Sequence, residues 1–107
     1  MNTLSTHVLD TVRGAPAAHV SVTLVHVAGG NVVAQGTTDA DGRIASFGDL
    51  SDGDYELRFA VRPYFETQGA ASFYDEIPVR FRMKGDARHY HVPLLLSPWG
   101  YTTYRGS

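Results

Sequence analysis

The sequence predicts an antiparallel all-β sandwich with one short helix. Short runs rich in β-branched, aromatic and aliphatic residues recur along the chain. Glycine, aspartate and proline stand between these runs, and polar and apolar residues alternate within several of them. Such short runs, separated by turn-forming residues, are typical of two packed sheets. At 107 residues the chain suits one domain over residues 1–107.

The first half contains three predicted strands joined by turns. The strands are Leu4–Asp10, His19–Val27 and Val32–Thr38. The turn-forming sequences are Gly14-Ala15-Pro16, Gly29-Gly30-Asn31 and Asp39-Ala40-Asp41-Gly42. Glycine supplies the backbone conformations that tight turns need, and aspartate hydrogen-bonds its own backbone there.

The second half adds four predicted strands and the helix. The strands are Tyr55–Val61, Ile77–Met83, His89–Ser97 and Gly100–Ser107. Pro63 favours the first turn of a helix and Gly69 favours its end, so a short helix is predicted over residues 63–69. The sequence contains no internal repeat, linker or low-complexity tract.

Composition excludes several classes of protein. Nine basic and eleven acidic residues give a formal net charge of −2, which argues against a nucleic-acid or anionic-membrane surface. The absence of cysteine excludes a disulfide framework and a thiolate metal site. The N-terminal segment carries His7, Asp10 and Arg13 and no continuous apolar run, which predicts a cytoplasmic protein without a secretory signal or membrane span. The small core makes association with other subunits an expectation.

Three strands share an unusual kind of outer face. Residues two apart lie on the same side of a strand. The groups on these faces are Ser5, His7 and Leu9; His89, His91, Pro93, Leu95 and Ser97; and Thr102, Tyr104 and Gly106. A face with this many apolar residues is not simply solvated. We expect it to form a subunit contact or to line a ligand cleft.

Two motifs resemble metal sites only weakly. His89-x-His91 offers two imidazoles, but no third ligand follows at a recognisable spacing, so no zinc site is predicted. Asp39-x-Asp41-Gly42 lacks the further acidic positions of a calcium loop and is better explained as a tight turn. A glycine-rich phosphate loop and a serine nucleophile elbow are both missing from the sequence.

Three motifs resemble those of the transthyretin family. They are Ser5-Thr6-His7-Val8-Leu9-Asp10 followed by Gly14-x-Pro16-Ala17; Asp41-Gly42-Arg43-Ile44; and the segment 89–98 with the ending Tyr104-Arg105-Gly106-Ser107. The resemblance spans Leu4 to Ser107. The chain resembles the enzyme branch of the family, the 5-hydroxyisourate hydrolases, because the hormone-carrying branch lacks the ending Tyr104-Arg105-Gly106-Ser107. Thr102-Thr103 departs from the Ser-Thr that the enzymes usually carry.

This resemblance implies a transthyretin-like (prealbumin-like) β-sandwich of two four-stranded sheets with one short helix. It also implies a homotetramer, a dimer of dimers with a central channel and active sites at the subunit interface. The outward faces of the first strand and the last two strands would line that channel. Strand periodicity selects the same faces.

The implied reaction opens the ring of 5-hydroxyisourate to 2-oxo-4-hydroxy-4-carboxy-5-ureidoimidazoline in urate degradation. Attack of water on a ring carbonyl needs a general base and stabilisation of the oxyanion. By resemblance His7 and His91 share the proton transfers, without an assignment of which is the base. Arg43 would hold the substrate through its guanidinium. The chemistry needs no metal or organic cofactor.

The C-terminal tetrapeptide supplies the other residues that the resemblance implies. Tyr104 would hydrogen-bond the substrate ring, and Gly106 would leave room for it. Arg105 would bind substrate from a neighbouring subunit or hold the terminus in place. The carboxylate of Ser107 would hydrogen-bond within the site.

Two alternative functions belong to other classes. A carrier of small hormone-like molecules would bind its ligand without turnover, and it would leave His7, His91 and the tetrapeptide unexplained. A structural or adhesive sandwich would be expected to carry a polar outer face instead.

Overall fold

The computed structural model describes residues 1–85 and 88–107. Within them the chain forms nine strands and one short helix. The strands are β1 Thr3–Asp10, β2 Ala15–Pro16, β3 Ser21–His26, β4 Asn31–Thr37, β5 Arg43–Ile44, β6 Gly53–Ala60, β7 Glu76–Met83, β8 His89–Leu96 and β9 Tyr101–Thr103. The helix α1 is Val61–Glu66. All the predicted strands are present, and the predicted sandwich with one short helix is confirmed.

The strands form two sheets. One has the order β4-β3-β6-β7, and the other has the order β2-β1-β8-β9 with β5 also paired to β1. The first sheet is antiparallel throughout, but β1 and β8 are parallel. The prediction of a wholly antiparallel sandwich is therefore wrong for this pair, and the second sheet has five strands instead of four. The additional pairings, β2 and β5, are two residues long, too short for alternation to reveal them.

The core lies between the sheets and takes most of its residues from β1, β3, β6, β7 and β8. The largest side chains that are fully buried include Phe59, Leu4, Leu24, Leu57, Ile77, Met83, Leu94 and Leu96. The row predicted to face inward from β8, Tyr90, Val92, Leu94 and Leu96, is buried as expected. Burying apolar side chains of this size contributes about 1.5–3 kcal/mol each, which fixes the faces of β1 and β8. His7 and His91 are thereby held on the outer face.

The helix begins directly at the end of β6 and not at Pro63. The backbone N–H groups of Val61 and Arg62 donate to the carbonyl of Asp75, so the chain turns into the helix two residues earlier than predicted. Val61 and Tyr64 are buried against the core, and Pro63 occupies the first turn. No helix among the described residues has the length and apolar character needed to span a membrane.

The last strand ends at Thr103 rather than at Ser107. Its register places Leu94 opposite Thr103, and beyond this pair the regular strand stops. The chain nevertheless stays beside β8, because the N–H of Gly106 donates to the carbonyl of His91 at 2.8 Å. The C-terminal segment is therefore anchored next to His91.

Candidate active site

His7 and His91 lie on the outer face of the two central strands of the five-stranded sheet. His7 stands opposite Pro93 in the parallel ladder, and His91 stands opposite Ser5. Because side chains alternate along a strand, both imidazoles lie on one face as diagonal neighbours. Both residues are half-buried. The prediction that they share a face is confirmed.

Arg43 is brought to the same face by the turn that precedes it. The carboxylate of Asp39 accepts hydrogen bonds from the backbone N–H groups of Asp41, at 2.9 Å, and Arg43, at 3.0 Å. Gly42 takes a positive φ of 73°, which glycine adopts readily. The turn delivers β5 to the edge of β1, where Arg43 stands opposite His7. The sequence predicted the turn but not this pairing.

Two of the site's side chains, His7 and Arg43, line one open pocket. Leu9, Pro16 and Asp41 line it with them. Its mixture of a cation, an imidazole and apolar surface suits a flat polar ring. The guanidinium can present two parallel donors to neighbouring oxygen atoms of such a ring.

The environment of His91 favours its neutral form. Burial lowers the pKa of His91 below its ordinary value of 6.5. Positive charge on three neighbouring side chains lowers this pKa further, namely on His7, His89 and Arg43. A hydrogen bond with Ser5 acts in the opposite direction. A neutral imidazole near pH 7 has a lone pair available to accept a proton.

Two residues of the C-terminal tetrapeptide lie on a different pocket. Tyr104 and Arg105 line an apolar pocket together with His91 and with Val79 and Phe81 of β7. The guanidinium of Arg105 stacks over the Tyr90 ring, 4.9 Å from its centroid. Within one chain Arg105 thus contacts the inner residue Tyr90 and lies away from the pocket of His7 and Arg43.

Gly106 makes room for the histidine. A Cβ atom at this position would lie 2.5 Å from Cδ2 and 3.1 Å from Cγ of His91. The family resemblance implies space for the substrate at this position, and within one chain the group packed against Gly106 is the imidazole of His91. Ser107 follows as an exposed residue. The tetrapeptide therefore touches the site through Gly106, which packs against His91.

His89 and Ser5 belong to the same face, although the sequence analysis assigned neither a role. His89 was considered only as half of a metal-binding pair with His91. Among the described residues, no group of three or more histidine, cysteine, aspartate or glutamate side chains is arranged to hold a metal ion. The hydroxyl of Ser5 instead lies between the two imidazoles. The sequence could have indicated this arrangement, because positions 89 and 91 are two residues apart and therefore lie on the same side of a strand.

Comparison with known proteins gives a consistent result. The model of the HIUase/Transthyretin family matches residues 4–106. A curated 5-hydroxyisourate hydrolase of Deinococcus radiodurans is 46% identical over 97% of this chain and 95% of its own length. The structure of Klebsiella pneumoniae 5-hydroxyisourate hydrolase superposes with a TM-score of 0.91 at 39% identity, covering 100% of both chains.

The same fold occurs in a transthyretin that was solved with thyroxine bound. This is sea bream transthyretin, which superposes with a TM-score of 0.90 at 34% identity, covering 96% of this chain and 93% of that one. The backbone alone therefore does not separate the two branches, and the side chains on the outer face have to do so.

Proposed function

The chain belongs to the HIUase/Transthyretin family, and we propose that it hydrolyses 5-hydroxyisourate. The reaction opens the six-membered ring to 2-oxo-4-hydroxy-4-carboxy-5-ureidoimidazoline, a step of urate degradation. One observation carries the proposal. His7, Arg43 and His91 come together on one face from three different strands, β1, β5 and β8.

The proposed mechanism starts with His91 as the general base. Its lowered pKa supports this choice, since the ring stays neutral at pH 7. His91 takes a proton from a water molecule, and the water oxygen adds to a ring carbonyl. The guanidinium of Arg43 faces the negative charge that develops on the carbonyl oxygen. The C–N bond of the ring then breaks, and His7 supplies the proton that the leaving nitrogen needs. The carbon becomes a carboxylic acid, which releases the second proton of the water to solvent and is left as a carboxylate.

The tetrapeptide and the assembly complete the proposal. We infer that Tyr104 and Arg105 contact substrate only when a second subunit closes the site, because in one chain they line the neighbouring pocket. The protein would then act as a homotetramer, a dimer of dimers. Leu9 and Leu95 support a subunit contact, because they stand opposite each other on the outer face and remain partly exposed. A role for Ser107 in the site and a cytoplasmic location stay predictions.

The test is a decay experiment. Urate and urate oxidase generate 5-hydroxyisourate, and its ultraviolet absorbance is followed with and without the protein. The proposal predicts faster decay that scales with protein concentration. Decay at the spontaneous rate, combined with tight binding of a thyroxine-like ligand, would favour the carrier.

Two substitutions examine the histidines. His7→Ala and His91→Ala each remove a proton-transfer group and should lower kcat by about 10²–10⁴-fold. His19→Asn is the matched control, because His19 is an exposed histidine with a φ of 64°, a conformation that asparagine tolerates. Near-normal turnover in either alanine variant would remove that residue from the mechanism.

A further inference from the structure

Four side chains on the outer face form one continuous row of hydrogen bonds. Thr3 Oγ1 lies 2.7 Å from His89 Nδ1. The other ring nitrogen, His89 Nε2, lies 2.9 Å from Ser5 Oγ. Ser5 Oγ in turn lies 2.8 Å from His91 Nδ1. The parallel register of β1 and β8 produces this row, because it places Thr3 opposite His89 and Ser5 opposite His91.

The hydroxyl of Ser5 couples the protonation of the two imidazoles. A serine hydroxyl has one hydrogen atom, so it donates to one ring and accepts from the other. When His91 carries its proton on Nδ1, it donates to Ser5, and Ser5 donates to Nε2 of His89. His91 then has its lone pair on Nε2, the atom that faces away from Ser5. In the reverse order, Nε2 of His91 carries the proton and is unable to act as a base.

The two imidazoles of the row differ in their contact with water. His91 is half-buried and lies near His7 on β1 and the guanidinium of Arg43 on β5. Arg105 of the C-terminal segment lines a pocket together with His91. His89 is exposed. A positive charge is better solvated on His89 than on His91, because burial penalises the charged form.

Building on the proposed function, we propose that Ser5 and His89 are positioning residues that hold His91 ready as a base and carry its proton to solvent. When Nε2 of His91 has taken the proton of the attacking water, the Nδ1 proton passes to Ser5 Oγ. The hydroxyl proton of Ser5 passes at the same time to Nε2 of His89, which becomes the imidazolium. His89 then releases a proton to bulk water. Ser5 Oγ gives one proton and receives one, His91 gains a proton at Nε2 and loses one at Nδ1, and His89 gains a proton at Nε2 and loses the one at Nδ1. The row is then neutral with its order of donation reversed. It is reset when His91 gives its Nε2 proton to solvent, the protons of the row move back, and His89 takes one from water at Nδ1.

The kinetic test uses three variants measured at several buffer concentrations. Ser5→Ala removes the link, and His89→Gln keeps an amide that hydrogen-bonds but is unable to become a cation. Both should lower kcat by about tenfold or more while KM changes little. Ser5→Thr keeps the hydroxyl and should retain the wild-type kcat. Added imidazole buffer should restore turnover in His89→Gln after subtraction of the enzyme-free rate, because a mobile base replaces the missing ring.

Controls separate a proton relay from a purely structural role. His26→Gln, a histidine on β3 in the other sheet, should behave as wild type at every buffer concentration. Thermal unfolding should show that all variants remain folded. Full activity of His89→Gln at the lowest buffer concentration would overturn the relay, and so would full activity of Ser5→Ala.

A readout independent of turnover uses ¹⁵N chemical shifts of the imidazoles during a pH titration. Protonation of His89 should change the tautomer of His91 in the wild type and should leave it unchanged in Ser5→Ala. Identical shifts in the two proteins would contradict the coupling. If the wild type fails to accelerate decay of 5-hydroxyisourate, the proposed function fails, and this titration still decides the coupling.

Discussion

His91 is the side chain on which burial, charge and hydrogen bonding act together. It accepts or donates at Ser5, its carbonyl holds Gly106, and three cationic neighbours disfavour its protonated form. These contacts come from β1, β5, β8 and the C-terminal segment. The protonation and position of the imidazole therefore depend on residues from all of these elements.

The lowered pKa of His91 has a definite sign in kinetics. In the proposed mechanism the neutral ring is the active form, so the acid limb of kcat/KM should lie below pH 6.5, the ordinary pKa of histidine. Arg43→Gln removes one repulsive charge, so the pKa of His91 should rise and the acid limb should move to higher pH. Arg80→Gln, on the other sheet, is the control and should not move it. An acid limb at the same pH in the Arg43→Gln and wild-type proteins would contradict the prediction.

Gly106 provides a second prediction at the residue scale. Gly106→Ala places a methyl group against Cδ2 and Cγ of His91, so the ring or the C-terminal segment has to move. We expect kcat to fall by about 10- to 100-fold, because small displacements of a catalytic group are costly. Gly100→Ala is the matched control, since its Cβ would meet nothing closer than 3.9 Å. Wild-type turnover in Gly106→Ala would contradict the role assigned to this contact.

Sequence patterns predicted the shared face of His7 and His91 because alternation in a strand is a local property. Arg43 entered the predicted site only through the family resemblance, since β5 is too short to show a pattern. The relation of His89 to Ser5 was missed, because it depends on the register between strands 84 residues apart in the chain. Long-range register is set by packing of the core and not by local residue preference.

At the scale of elements, the turn at residues 39–42 decides where Arg43 lies. Its geometry depends on the Asp39 carboxylate and on the close approach of Gly42 to the carbonyl of Val8. The N–H of Val8 also donates to the carbonyl of Gly42 at 2.7 Å. β5 is therefore fixed to β1 by backbone contacts, and a distortion of the turn would displace the guanidinium.

Two glycine substitutions measure how much the close packing of the turn at Gly42 contributes to stability. Gly30→Ala and Gly42→Ala impose similar positive φ values, 66° and 73°, but Gly30 has open space around it. Gly30→Ala should lower the free energy of unfolding by about 1–2 kcal/mol. Gly42→Ala should lower it by about 1–3 kcal/mol more, because its methyl group overpacks the turn. Urea unfolding measures both, and equal losses would contradict the proposed role of close packing.

The buried pair of Asp10 and Tyr64 joins the helix to the end of β1. The Tyr64 hydroxyl donates to Asp10 Oδ2 at 2.7 Å, and the same carboxylate accepts from the N–H groups of Val12 and Arg13. Asp10 is 2% exposed. The short helix thus supplies, through Tyr64, a hydrogen-bond donor for a carboxylate that is almost fully buried.

Tyr64→Phe tests this connection. Loss of a hydrogen bond to a buried charged group should lower the free energy of unfolding by about 1.5–3 kcal/mol. Turnover per folded molecule should stay unchanged, because α1 does not contribute to the site. An unchanged urea midpoint in Tyr64→Phe would contradict the stabilising role assigned to the hydrogen bond between Tyr64 and Asp10.

At the scale of the whole molecule, the outer face of the five-stranded sheet changes character along its length. One end carries Thr3, Ser5 and the histidines, and the other end carries Leu9 opposite Leu95. We propose that the polar end carries out the chemistry and that the apolar end forms the contact between subunits. This division is consistent with a site that a second subunit closes.

Leu95→Lys tests the assembly. A charge at the apolar end should oppose burial, so the tetramer proposed for the wild type should dissociate and sediment as a smaller species. Val32→Lys, at an exposed position on β4 of the other sheet, is the control and should leave sedimentation unchanged. Unchanged sedimentation of Leu95→Lys would argue against this face as the contact.

The parallel pairing of β1 with β8 also has a consequence in time. Every strand of the four-stranded sheet lies between Ser21 and Met83, whereas the contact of Ser5 with His91 joins residues 86 positions apart. At a synthesis rate of about 5–20 residues per second, β1 waits about 4–17 s on the ribosome for its partner strand. A nascent chain that stalls just before His89 already contains all four strands of one sheet, yet it holds only half of the site.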